Sequence, residues 1–117
     1  MRFMMIVKAD AESEAGAPPA PDALADMAAY NEDLVRAGVL LAADGLRPSR
    51  RGARVSTRDG RRTVTEGPFP EPETLVAGYW VIQAAAKDEA VAWALRCPAP
   101  EVEIRQVFEA AELHATS

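Results

Sequence analysis

The pattern of apolar and polar residues along the chain predicts four strands. Three continuous apolar runs end at polar or turn-forming residues, and runs of this length are typical of strands that are buried on both faces. They occupy residues 3–7, 39–43 and 78–82. In residues 102–108 apolar and polar side chains alternate, which predicts a fourth strand.

Two helices are predicted, because apolar residues recur at spacings of three and four in two further segments. The first begins with Pro21 at its first position and is ended by Gly38 as a left-handed cap. The second covers residues 87–96 and stops before a pair of closely spaced prolines. The proline-rich segment that precedes the first helix, residues 12–21, is predicted to be a loop.

A β-hairpin is predicted for residues 54–65, between the second and third of the long strands. Its centre is the dipeptide Asp59-Gly60, which is a strong signal for a tight hairpin turn, and β-prone residues flank it on both sides.

A rigid corner, Gly67-Pro68-Phe69, follows the hairpin. Gly67 permits backbone angles that are closed to other residues, and Pro68 fixes the next φ near −65°. We expect this corner to aim Phe69 into the core as a plug, with a secondary role as a pocket wall. At the other end of the chain, the tail over residues 109–117 is predicted to be weakly ordered.

The order of these elements predicts one α+β domain over residues 1–117, with its core in residues 1–108. Right-handed crossovers give a ferredoxin-like βαββαβ fold with an inserted hairpin, an antiparallel sheet and both helices on one face. Because three strands are apolar on both sides, the face without helices also needs cover. A second copy of the sheet provides it, so the sequence predicts a homodimer with the architecture of a dimeric α/β barrel.

Composition excludes several classes of protein. The chain has one cysteine and one histidine, so it forms no intrachain disulfide and no zinc site of His and Cys ligands, and a reducing cytoplasm is the predicted location. No glycine-rich phosphate loop is present, and no cofactor is predicted. The apolar runs are too short to span a membrane. The formal net charge is −5, and no aromatic residues interleave with the basic cluster of residues 47–62, so nucleic acid is not a predicted partner.

Four segments together resemble the YCII-related, or DGPF-domain, proteins: NEDLVRAGVLLAADGLRPS, RVSTRDGRRTVTEGPF, LVAGYWVIQAAAKDEAVAWALRCP and EIRQVF. The motif that names the family has Glu66 here in place of aspartate. The resemblance implies a dimeric α+β barrel. The functions of the proteins in this family are mostly unassigned. A related branch is thought to use a His–Asp pair with the histidine on the first helix. That histidine aligns near Met27, so this chain lacks it. For some members the resemblance also implies a link to extracytoplasmic-function sigma factors.

Polar residues in apolar surroundings are the candidates for a site. Asn31 interrupts the apolar stripe of the first helix, and it either bonds a neighbouring backbone group or contacts a ligand in a pocket. Tyr30 beside it either packs in the core or presents its hydroxyl to a cavity. Asp44 ends the second strand against apolar neighbours, where it either acts as an acid or base or satisfies the backbone of a turn. Arg105 either binds an anionic ligand or forms an ion pair with Asp44 or Glu103.

Two functions of different classes are consistent with these residues. The first is a homodimeric small-molecule-binding or regulatory module, with Tyr30, Asn31, Phe69 and Arg105 as ligand contacts. The second is a cytoplasmic enzyme that acts on a small anionic or aromatic metabolite, with Asp44 and Arg105 in acid/base chemistry.

Overall fold

The structure, a computed structural model, describes residues 1–114. Its strands are β1 (Arg2–Lys8), β2 (Leu40–Gly45), β3 (Ala53–Arg58), β4 (Arg61–Glu66), β5 (Val76–Gln83) and β6 (Val102–Gln106). Its α-helices are α1 (Ala11–Ala15), α2 (Pro21–Arg36), α3 (Lys87–Arg96) and α4 (Ala110–His114), and two 3-10 turns cover Ser49–Arg51 and Pro72–Thr74.

The main sheet is antiparallel, with the strand order β2-β5-β1-β6. This is the strand order of the predicted ferredoxin-like fold. The two edge strands, β2 and β6, follow the two long helices, α2 and α3, in the chain. Strands β3 and β4 form a separate two-stranded sheet between β2 and β5 in the chain. The predicted fold class is therefore confirmed for the single chain.

The core lies between the sheet and the helices. Register pairs Phe3 with Ile82 and Met5 with Trp80, so these four side chains point to the same face of the sheet. They join Tyr30, Leu34, Ala84 and Ala90 in one buried cluster. The two long helices contribute to this cluster, which fixes the face that they cover.

The other side of the sheet, the open face, carries Met4, Ile6, Tyr79 and Val81, which alternate with the core residues along β1 and β5. All four are partly exposed, and within residues 1–114 none belongs to the buried cluster. Leu41 lies at an irregularity in β2, the strand that pairs with β5, and it is 51% exposed. The open face therefore has the apolar character that the strand pattern predicts.

The predicted loop over residues 12–21 is partly wrong, because it contains helix α1. The Asp10 side chain accepts a hydrogen bond from the Ser13 N–H at 2.8 Å, and the Ser13 hydroxyl accepts one from the Asp10 N–H at 2.9 Å. Gly16 ends the helix with φ of 76°. These caps at both ends allow a five-residue helix to form before the prolines begin.

The tail after β6 contacts the first strand and contains a short helix. Glu109 accepts two hydrogen bonds from the Arg2 guanidinium at 3.0 and 3.2 Å, and helix α4 follows. The Val107 N–H also donates to the Arg2 carbonyl at 2.9 Å. The segment that the sequence predicts to be weakly ordered thus contains a helix at Ala110–His114, and residues 115–117 lie outside the part that the structure describes.

The corner after the hairpin also differs from the prediction. Phe69 is partly exposed and is not in the core cluster, and its ring centroid lies 3.9 Å from the Arg54 guanidinium carbon. Gly67 does not have a positive φ. It is required because a Cβ there would lie 1.7 Å from the Ser49 carbonyl oxygen. The glycine thus permits a close backbone approach, and the corner packs on the insertion instead of the core.

Candidate functional site

A cavity of about 600 Å³ lies between α2 and the end of the sheet where β1 finishes. Apolar side chains from four elements form much of its wall: Val7, Met27, Ala43 and Trp80. The segment that contains α1 borders one side, and residues 98–100 after α3 border another. This position, between a helix and a sheet, is the one that the sequence predicts for a pocket.

Asn31 lies in this cavity wall and contacts Trp80. The indole Nε1–H donates a hydrogen bond to Asn31 Oδ1 at 2.7 Å. Because an indole N–H can only donate, it fixes the amide oxygen toward Trp80, and the amide N–H groups point elsewhere. Asn31 is partly buried and borders the cavity. The residue thus bonds a side chain and not the backbone group expected from the sequence.

Asp44 and Tyr79 form a second polar pair at the border of the same cavity. The Tyr79 hydroxyl donates to Asp44 Oδ2 at 2.7 Å. This hydrogen bond, together with the negative charge of the carboxylate, raises the pKa of Tyr79, because both favour the neutral phenol. Register places Ala43 opposite Trp80 and Asp44 opposite Tyr79, so the Asp44 and Tyr79 side chains stand on the open face. Asn31 and Asp44 therefore border one cavity from opposite faces of the sheet.

Glu14 and Ser49 connect the cavity wall to the insertion. The Ser49 N–H donates to Glu14 Oε1 at 2.9 Å, and the Ser49 hydroxyl donates to Glu14 Oε2. The same hydroxyl accepts a hydrogen bond from the Phe69 N–H at 3.0 Å. The hydrogen bonds from Ser49 lower the pKa of Glu14, because they favour its charged form. This network attaches α1, which borders the cavity, to the corner at Phe69.

Tyr30 is a core residue, and its hydroxyl does not border the cavity beside Asn31. The hydroxyl donates to the Trp93 carbonyl at 2.6 Å, and the ring meets Trp80 edge to face with centroids 5.3 Å apart. Burial raises the pKa of Tyr30 well above its ordinary value. Tyr30 also borders a separate groove of about 340 Å³, where Arg96 and Asp33 are bonded to each other at 2.8 Å.

Arg105 and Phe69 do not border the main cavity. Arg105 lies on β6, at the opposite edge of the sheet from β2, and its guanidinium is 3.4 Å from a Glu103 carboxylate oxygen. Glu103 is one of the two ion-pair partners that the sequence predicts for it. Of the five predicted site residues, the structure thus brings Asn31 and Asp44 to one cavity and places Tyr30, Phe69 and Arg105 elsewhere.

Comparison with known proteins identifies the family. The sequence model of the YCII-related domain matches residues 1–111. The chain belongs to the YCII-related domain family. Among curated proteins, none matches the sequence.

A solved structure resembles this YCII-related domain over nearly all of its length. It is the 5-chloro-2-hydroxyhydroquinone dehydrochlorinase TftG from Burkholderia phenoliruptrix AC1100, in complex with 2,5-dihydroxybenzoquinone. The TM-score is 0.51, the sequence identity is 14%, and the likeness covers 94% of this chain and 96% of the other. At this identity the likeness supports the fold alone.

Within residues 1–114, no group of three or more His, Cys, Asp or Glu side chains is placed to hold a metal ion. No helix in the same range is long and apolar enough to cross a membrane.

Several residues of the site carry little signal in the sequence. Trp80 and Tyr79 are visible only as members of an apolar strand, and their opposite roles depend on the pairing of β5 with β2. Glu14 and Ser49 are 35 positions apart. The spacing of Asp10 and Ser13, followed by Gly16, is a capping pattern that could have revealed α1 and thereby the position of Glu14.

Proposed function

We propose that this YCII-related protein is a homodimeric module that binds a small molecule in the cavity between α2 and the sheet. The observation that carries the proposal is the Asn31–Trp80 hydrogen bond in the cavity wall, because it occupies the amide oxygen of Asn31 and leaves its two amide N–H donors for a ligand, in a wall that has both apolar and polar side chains. The ligand class that fits is a small, flat molecule with an aromatic ring and a carbonyl or anionic oxygen. The ring packs on Trp80 and Met27, and the oxygen accepts from Asn31.

The homodimer part of the proposal is supported by the open face. Met4, Ile6 and Val81 are apolar side chains on the central strands β1 and β5 of this face, and in a single chain they stay partly exposed. A contiguous apolar surface of this kind is typical of an interface. Face-to-face packing of two such sheets covers it in both copies.

Substitution at Asn31 tests the ligand site. Asn31→Asp keeps an oxygen acceptor for the Trp80 N–H but removes both amide donors and adds a negative charge. A thermal-shift screen against aromatic acids, phenols and quinones is expected to give ligands that stabilise the wild type. At about a hundred times Kd a ligand adds roughly 2.7 kcal/mol of stability. Asn31→Asp should abolish that shift, whereas Ala28→Asp, which places the same charge on an exposed position of α2, should retain it. Ligands that bind both variants equally would overturn the assignment.

An enzyme is the second candidate, and the Asp44–Tyr79 pair favours it. The pair borders the cavity, the carboxylate is a proton acceptor, and the fold neighbour is described as a dehydrochlorinase that binds a hydroxylated quinone. Asp44→Asn retains an oxygen for the Tyr79 hydroxyl and removes the base. Turnover of a ligand from the screen that is lost in Asp44→Asn, with binding unchanged, would favour the enzyme. No turnover in the wild type would exclude it for that ligand.

Arg105 keeps its predicted role as an anion contact only for a ligand that reaches the open face, since Arg105 borders neither cavity. Arg105→Ala, examined with the same ligands, tests that role. A loss of affinity in this variant supports it, and unchanged affinity leaves Arg105 as the ion-pair partner of Glu103.

A cytoplasmic location and a regulatory link to a sigma factor belong to the same proposal. Cys97 is a free, partly buried thiol whose pKa is raised by burial, which suits a structural cysteine in a reducing compartment. Co-purification of a sigma factor with the tagged protein from its native host would support the regulatory link, and its repeated absence would argue against it.

A further inference from the structure

The hairpin of β3 and β4, residues 53–66, forms a rigid arm on the domain. Every residue in it is exposed, and its strands pair with each other and not with the main sheet. Asp59 and Gly60 have φ of 50° and 78°, which is the geometry of a type I′ turn. At the base, the Gly67 N–H donates to the Gly52 carbonyl at 3.0 Å, and Arg54 stacks on Phe69. The arm is thus preorganised although the rest of the domain does not cover it.

The charge of the chain is divided between this insertion and the remainder. Residues 47–66, which comprise a basic connector and the arm, hold seven of the 13 basic residues and two of the 18 acidic residues, a net charge of +5. The rest of the chain, the body, has a net charge of −10, so the two parts add up to the net charge of −5 for the whole chain. A separation of this size within one small domain gives two surfaces that attract each other between copies.

The two faces of the arm differ in chemistry. Val55 pairs with Val64 across the strands, and these side chains are 54% and 64% exposed. Arg58 pairs with Arg61 on the alternate face, next to the turn. An exposed apolar pair beside a basic tip fits an acidic protein surface with apolar patches. Single-stranded nucleic acid is a poorer fit, because the arm has no aromatic residue on which a base could stack.

The area of the open face bears on whether other surfaces take part in the dimer interface. Four strands of 5–8 residues form a surface of about 400 Å² in each copy, from strand spacings of about 4.8 Å and rises of about 3.4 Å per residue. A stable interface needs about 800 Å² from each partner. The chain is also extended for its length, with a radius of gyration of 16.7 Å, against about 13 Å for a compact chain of this size. The open face provides part of such an interface, and the arm is one of the other exposed surfaces with apolar side chains that can add to it.

We propose that the arm of each protomer docks against the acidic body of the second copy so that both faces of the arm are covered, with Val55 and Val64 adding apolar contact on one face and Arg58 and Arg61 meeting carboxylates on the other. This inference rests on the homodimer of the proposed function. It assigns the inserted hairpin as an interaction surface whose partner is another copy of the same chain.

Charge reversal on the arm tests the inference in the full chain. Arg58→Glu with Arg61→Glu changes the net charge by −4, and Arg36→Glu with Lys87→Glu makes the same change on exposed positions of the body. Sedimentation equilibrium should show that the arm variant dimerises at least about tenfold more weakly, since several exposed ion pairs are lost in duplicate. The body variant should dimerise no more weakly than the wild type. Salt should weaken the wild-type dimer more than the arm variant.

A second variant separates the apolar contact from charge. Val55→Thr with Val64→Thr keeps residues of high β-propensity on the exposed hairpin, so the arm stays folded. We expect this variant also to weaken the dimer, with an unchanged circular dichroism spectrum. A wild-type dimer that neither arm variant weakens would overturn the role of the arm and leave the homodimer standing. Loss of binding to heparin or duplex DNA in the arm variant, with dimerisation unchanged, would likewise overturn it. A wild type that is monomeric at every concentration would overturn the homodimer itself.

Discussion

Trp80 and Asn31 are joined by a hydrogen bond of 2.7 Å, with the indole nitrogen as donor and the amide oxygen as acceptor. Trp80 belongs to the buried core and Asn31 to the cavity wall, so the bond links the interior of the domain to its candidate site. A polar group that interrupts an apolar helix face is thereby satisfied, and its orientation is fixed.

The first prediction concerns this bond. Trp80→Phe and Asn31→Ala should each destabilise the protein, and a double-mutant cycle should show a coupling of about 1 kcal/mol between them, the usual contribution of one hydrogen bond. Urea denaturation at fixed protein concentration measures it. Each single variant also loses packing, so the coupling and not the single losses is the informative quantity. Strict additivity of the two changes would show that the bond contributes nothing to stability.

The second prediction concerns the Glu14–Ser49 contact. Ser49→Ala removes the hydroxyl that donates to Glu14 and accepts from the Phe69 N–H, so the midpoint of thermal unfolding should fall at pH 7. Because the folded pKa of Glu14 is lowered, its stabilising contribution is present above the unfolded carboxyl pKa and is lost as the pH falls through the folded value. The difference between wild type and Ser49→Ala should therefore shrink on acidification below about pH 4.5. Ser56→Ala, on the exposed arm, is the control and should change little. A gap that stays constant with pH would contradict the role of the carboxylate.

The third prediction compares two phenylalanines. Phe3 is 1% exposed in the core, so Phe3→Ala should cost about 3–5 kcal/mol. Phe69 is partly exposed beneath Arg54, so Phe69→Ala should cost only about 1–2 kcal/mol from partial burial and the cation–π contact. Chemical denaturation of both variants at the same protein concentration decides between core and surface roles. Equal losses in the two variants would restore Phe69 to the core.

The sequence predicts the elements whose signals are local. Helices α2 and α3 have the predicted bounds, since proline at the start, glycine after the end and the spacing of apolar residues act within a few positions. The type I′ turn at Asp59 and Gly60 follows from the same kind of short-range chemistry. The order of the sheet follows from connection rules once the elements are known.

The candidate site is harder to predict, because its contacts depend on strand register. A shift of one residue in the pairing of β2 with β5 would place Asp44 opposite Gly78 or Trp80 instead of Tyr79 and turn its side chain to the other face of the sheet, and the sequence does not specify that register. For the same reason, Asp44 is correctly placed at a strand end but its partner is not foreseen. Arg105 cannot form the predicted ion pair with Asp44, because it lies on β6, the edge strand farthest from β2.

The fourth prediction tests the independence of the arm. Replacement of Asp59-Gly60 by Ala-Ala should disorder the hairpin, because both turn residues have positive φ and alanine resists that conformation. The main sheet should persist, since it does not pair with β3 or β4. Hydrogen exchange would show loss of protection in residues 53–66 and retained protection in β1 and β5. Global loss of protection would show that the hairpin is part of the folding core.

The last prediction concerns the open face. Val81 and Ile82 are neighbours on β5 whose side chains point to opposite faces of the sheet. Val81 points away from the helices, whereas Ile82 is completely buried in the core of the single chain. A carboxylate at Val81 would be desolvated by the sheet of a second copy, and an unpaired buried charge costs far more than the interface can offset.

Val81→Asp should therefore abolish the dimer, and because the exposed apolar face is then uncovered, the protein should unfold or aggregate instead of giving a stable monomer. Val76→Asp is the control, since Val76 lies on the same strand but is 40% exposed at its beginning. Sedimentation at micromolar concentration and circular dichroism measure both effects. A well-folded Val81→Asp dimer would move the interface to another surface. A well-folded wild-type monomer would leave the apolar character of both sheet faces without an explanation, because only a covering partner accounts for Met4, Ile6 and Val81 on the side that the helices do not reach.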